Sequence, residues 1–64
     1  VMSYPLKYKV GSMFVDKFDK EHRLIIVALT TFPYDYLVYY QDWQRYNNMH
    51  EQTIDDYYVP VYLS

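Results

Sequence analysis

The chain has 64 residues, with six basic and eight acidic side chains, ten tyrosines, one glycine and no cysteine. That length allows one domain, taken as residues 1–64, with a core so small that chains of this size commonly add a disulfide, a metal or a partner subunit. A disulfide is excluded and His22 and His50 are a thin supply for a metal, so a homodimer or a complex with another protein is expected.

Lack of cysteine suits a reducing, cytoplasmic compartment. The longest aliphatic run, Leu24 to Leu29, has six residues, where a membrane helix needs about 20. Val1-Met2-Ser3-Tyr4-Pro5 shows no basic region leading into an apolar stretch, so neither a membrane span nor a signal peptide is expected. Residues 1–23 carry five basic against three acidic side chains, whereas residues 24–64 carry Arg45 alone against Asp35, Asp42, Glu51, Asp55 and Asp56. An acidic, aromatic tract repels nucleic acid and suits a protein partner with a basic groove.

In chain order, Leu6, Tyr8 and Val10 alternate with Lys7 and Lys9, which predicts a half-buried strand interrupted at Gly11-Ser12. Met13 to Phe18 predicts a second strand, and Asp19-Lys20-Glu21-His22 a four-residue hairpin loop. Arg23 to Thr31 is apolar on both faces through Leu24–Leu29, the pattern of a central strand in a sheet covered on both sides. Pro33 biases Phe32 away from helix, so Thr31 to Asp35 is a turn, and Tyr36 to Gln41 is aromatic enough to form the next strand.

Trp43, Tyr46, Asn47 and His50 fall at i, i+3, i+4 and i+7, which predicts a short helix to about Glu51 with Asp42 as its cap; a long hairpin loop is the alternative. Thr53 to Leu63 predicts a last strand, placed at an edge by Pro60. The sum is an α+β, mostly β domain of four to five short antiparallel strands and one short helix.

No catalytic site assembles from these residues. Ser3, Ser12 and Ser64 have no base and orienting group beside them in any motif, and one glycine cannot make a phosphate-binding loop. Adjacent His50 and Glu51 lack the spacing of a zinc helix. No enzyme activity, metal or cofactor is expected. The informative residue is tyrosine: eight of the ten lie between Tyr34 and Tyr62. About half of such phenols belong in a core and half at an interface, where they bring large area with few torsions to freeze. Tyr36, Tyr39, Trp43 and Tyr46 are the candidate contact anchors, and Tyr40 and Tyr57 are candidate core residues, with a core position the alternative for Tyr36.

Carboxylates at alternate strand positions lie about 6.6 Å apart, close to the roughly 7 Å between phosphates on one DNA strand. Asp35, Asp42, Asp55 and Asp56 are therefore candidates for a DNA-mimicking element, although neighbouring aspartates point to opposite faces.

Asp42-Trp43-Gln44-Arg45-Tyr46-Asn47, after the aromatic strand Tyr36-Leu37-Val38-Tyr39-Tyr40, resembles the small dimeric phage-encoded inhibitors of uracil-DNA glycosylase. Asp42, Trp43 and Tyr46 match, while Gln44 stands where that family has an acid. The resemblance implies a homodimer that seizes a protruding side chain of the enzyme while its carboxylates mimic DNA. Lys9-Val10-Gly11-Ser12-Met13-Phe14-Val15 and the closing Thr53-Ile54 are similar to small phage proteins of partly open, SH3-like β-barrel type, which implies five strands. The expected function is a non-catalytic inhibitor of a host DNA-handling protein in the bacterial cytoplasm. Alternatives are an anti-restriction or anti-CRISPR inhibitor, or a nucleic-acid-binding barrel that stacks bases on tyrosines beside the basic N-terminal third.

Overall fold

A computed structural model of the chain describes residues 5–62. Its elements are β1 (Met13–Asp16), β2 (Arg23–Leu29), β3 (Tyr36–Tyr40), β4 (Arg45–Met49), α1 (Glu51–Tyr57) and β5 (Tyr58–Pro60). The strands form one five-stranded antiparallel sheet in the order β4-β3-β2-β1-β5. Four strands meander, and the helix then carries the chain back so that β5 closes on β1. The terminal strands β4 and β5 lie at opposite ends of that order, so the sheet is open and not a closed barrel.

The doubly apolar strand β2 occupies the centre of the sheet, as its sequence predicts, but among the described residues only one of the two expected coverings is present, that of α1 and the Leu6–Tyr8 segment. Leu24 and Ile26 point into a core with Phe14, Tyr36, Val38, Tyr40, Met49, Ile54 and Tyr58. A register shift at Val27 separates the Ile26/Val38 pair from Ala28/Leu37. Such a bulge bends the strand and adds to the sheet's twist.

Three sequence expectations are corrected. Residues 6–10 form no strand: the alternation holds, with Leu6 and Tyr8 packed on the core, but the Lys7 N–H donates to Glu51 Oε2 and the Tyr8 N–H to the Tyr36 hydroxyl. Side chains satisfy these backbone groups instead of a ladder. The helix predicted from Trp43 to Glu51 is absent, and Arg45–Met49 pairs with β3 as a strand. Gln44, at φ 53°, closes the intervening turn with its N–H on Tyr40 O. The hairpin thus gains its ladder from the strongly β-forming Tyr36–Tyr40, where two asparagines would weaken a helix.

The first part of the predicted last strand, Thr53–Tyr57, belongs to helix α1, and Tyr58–Pro60 is extended; its final residue, Leu63, lies outside the described residues, as do Ser3 and Ser64. β-forming side chains lose here to contacts made from elsewhere in the chain. Asp35 Oδ2 accepts the Glu51 N–H at the first turn, Gln52 Nε2 donates to Asp56 Oδ1 one turn on, and Lys17 Nζ donates to the carbonyls of Asp55 and Asp56 at the end. A cation at the carboxyl end also matches the helix dipole.

Candidate functional site

Side chains opposite one another in an antiparallel ladder share a face. Tyr46 opposes Tyr39, Tyr39 opposes Ile25 and Ile25 opposes Met13, so one row crosses four strands. Val15 lies beside it, opposed by Arg23 on one side and Val59 on the other, and Leu37 opposes Asn48. This is the sheet face turned away from the core. Helix α1 and the Leu6–Tyr8 segment pack on the opposite side, through Ile54, Leu6 and Tyr8.

Among the described residues nothing covers this second face. Met13, Val15, Ile25, Val27, Leu37 and Tyr39 are only half-buried, and Tyr46 is 64% exposed. Tyr39 and Tyr46 have ring centroids 4.9 Å apart. The charged residue in these rows is Arg23, and they contain no carboxylate. The arrangement offers a broad apolar and phenolic contact area without a buried polar cost.

The residues singled out by sequence divide between this face and the interior. Tyr39 and Tyr46 stand on the face together. Tyr36 is a correction: it is 0% exposed, donates to Glu51 Oε2 and accepts from the Tyr8 N–H, so it holds the core and not a partner. Burial, then the bond to Glu51, pushes its phenol well above the ordinary range. Tyr40 is buried as expected, whereas Tyr57 is exposed.

Trp43 is stacked on His22, 4.1 Å between centroids, and meets Tyr40 edge-on at 5.0 Å, while 58% of its surface stays exposed. It covers a buried cluster that sequence reasoning missed. His22 is 6% exposed, with Nδ1 3.0 Å from Asp42 Oδ2 and Nε2 2.8 Å from the Tyr58 hydroxyl. Each ring nitrogen thus has a hydrogen-bond partner, Asp42 at Nδ1 and the Tyr58 hydroxyl at Nε2. The signal for the trio was absent from spacing, because its members come from the β1–β2 loop, the β3–β4 turn and β5.

The four aspartates do not form a row. Asp35 caps α1, and Asp42 holds His22. Asp55 Oδ2 lies 2.8 Å from Lys7 Nζ, and its Oδ1 accepts from Tyr8. Asp56 is exposed on α1. Burial pushes the Asp42 carboxyl upward, but the His22 bond and the N–H groups of Asp42 and Arg23 outweigh it and hold the group low. Asp55 is held low by Lys7 first and then by Tyr8. Asp35, Asp42 and Asp55 are thus engaged within the fold, and Asp56 is left to the surface of α1.

No group of three or more potential metal ligands is present among the described residues, and no helix there is long and apolar enough to cross a membrane. Comparison with protein-family models, curated proteins and solved structures finds no match.

Proposed function

We propose that the chain is a non-catalytic binding protein that acts by docking the uncovered face of its sheet on another protein, in the cytoplasm to which a cysteine-free composition is suited. The observation that carries this reading is the row Tyr46-Tyr39-Ile25-Met13, which crosses most of the sheet with nothing above it among the described residues. A sheet with two apolar faces is stable when both are covered. This chain covers one, and a partner completes the other. With Arg23 at its border and no carboxylate among its members, the face fits a partner patch that is apolar at its centre and acidic at its rim.

The inhibitor class inferred from sequence is kept, with Tyr39 and Tyr46 as its anchors and without the row of aspartates. Its specific form, inhibition of uracil-DNA glycosylase, is tested by adding the protein to a glycosylase assay: titratable loss of uracil release supports that target, and undiminished release removes it. A second reading, base stacking on Tyr39 and Tyr46 beside Arg23, is favoured by the absence of acids from the face. Binding to single-stranded DNA that weakens steeply with salt marks that reading.

The surface itself is tested by affinity capture from a bacterial lysate with wild type, Tyr46→Ala and Asp56→Asn as baits. Truncating a contact tyrosine costs about 2 kcal/mol or more at an interface hot spot. Tyr46→Ala is therefore expected to lose at least about tenfold in affinity for whatever wild type retains, with Asp56→Asn unchanged. Equal retention by all three baits contradicts the reading.

A further inference from the structure

We propose that β4 is a self-association edge, pairing antiparallel with the β4 of a second copy to make one continuous sheet. The Gln41 N–H donates to Arg23 O beside the Leu24/Tyr40 pair, which turns the backbone groups of Tyr40, and by alternation those of Val38 and Tyr36, toward β4. Their partners Arg45, Asn47 and Met49 face inward to β3. The N–H and C=O of Tyr46 and Asn48 therefore point outward along an edge that no strand pairs with among the described residues.

The two ends of the sheet are treated differently. β5 is three residues long and ends at Pro60, which has no N–H to offer. β4 has five residues, Arg45-Tyr46-Asn47-Asn48-Met49, with no proline or lysine to blunt it.

The sequence of β4 is complementary to itself about Asn47. In that register Tyr46 opposes Asn48 of the second copy and exchanges both backbone hydrogen bonds with it, while Arg45 opposes Met49. The strand's single charge then meets no like charge. Tyr46 and Asn48 share the uncovered face, so this pairing joins the open faces of the two copies on one side; a slip by one residue would place them on opposite sides. A second copy is favoured over a foreign strand by this charge pattern and by a core too small to stand comfortably alone. Edge pairing does not depend on the docking role of the face, because Asn47 alternates to the other side.

Asn47 at the two-fold supplies the test. Asn47→Lys and Asn47→Asp each place like charges directly opposite, and mixing them places opposite charges there. Sedimentation of wild type from low to high micromolar concentration is expected to rise from the 7.9 kDa monomer to twice that mass. Each variant is expected to stay monomeric and the equimolar mixture to dimerise. Wild type at monomer mass throughout, or a dimer that persists in both single variants, overturns the proposal. Asn47 Nδ2 also donates to the Tyr40 hydroxyl, so wild-type hydrogen exchange provides an independent reading should the variants fail to fold. Tyr46 and Asn48 amides that slow with protein concentration support the edge pairing, and amides that exchange fast at all concentrations overturn it. Failure here leaves the Tyr39 and Ile25 face, and the reading built on it, untouched.

Discussion

Burying an imidazole without partners is costly, and the surroundings of His22 remove that cost by giving each ring nitrogen a partner, Asp42 on one side and Tyr58 on the other. The same principle governs the buried phenols. Burial, then the bond to Asp55, raises Tyr8; burial, then Glu51, raises Tyr36; burial, then Tyr40, raises Tyr58. The folded state holds these protons more tightly than the unfolded chain does. Their contribution to stability is therefore complete below about pH 10, the ordinary phenol value, and is lost as pH rises through the raised folded values. Lys7, raised mainly by its bond to Asp55, acts in the same direction. Asp55 and Asp42 act in the opposite direction: both are held low, so their contribution is present above about pH 4 and is lost as pH falls through the folded values. Urea unfolding across pH, followed together with phenolate absorbance, is expected to show stability declining on both flanks, with phenolate from the buried rings appearing late and together with unfolding. Early, independent titration of every tyrosine while the fold persists contradicts this assignment.

Among the elements, β2 carries the core. Ile26 is fully buried at the middle of the central strand, so Ile26→Ala is expected to lower stability by about 2 to 5 kcal/mol, read from the urea midpoint, and a neutral result means the core is elsewhere. The sheet from Met13 to Tyr40 was legible in the sequence because those strands bury alternate or continuous apolar side chains. The chain beyond Tyr40 was not. β4 buries only Met49, so an exposed edge strand leaves no alternation to read, and the spacing of Trp43, Tyr46, Asn47 and His50 imitated a helical face. Helix α1 buries only Ile54 and is held by a cap from Asp35 and a cation from Lys17, both distant in sequence. Of the candidate site, Tyr39 and Tyr46 were picked out by sequence and stand opposite one another on the open face. Alternation puts Tyr36 on the face opposite Tyr39, with Tyr40, where the core alternative had it, but alternation alone does not say which of the two faces the helix covers.

For the whole molecule, the consequence among the described residues is a sheet with one face closed by helix α1 and the Leu6–Tyr8 segment and the other left open. On the closed side Glu51 and Asp55 bond the phenols of Tyr36 and Tyr8, and on the open side Tyr39 and Tyr46 stand among aliphatic residues with no carboxylate in their rows. The proposal that this open face is a contact surface is tested most directly by site-specific photocrosslinking in a bacterial lysate, with a photoreactive phenylalanine at position 39 in the middle of the open face or at position 56 on the helix. A discrete protein adduct from position 39 and none from position 56 is the expected result. Adducts from position 56 alone, or none from position 39, contradict it.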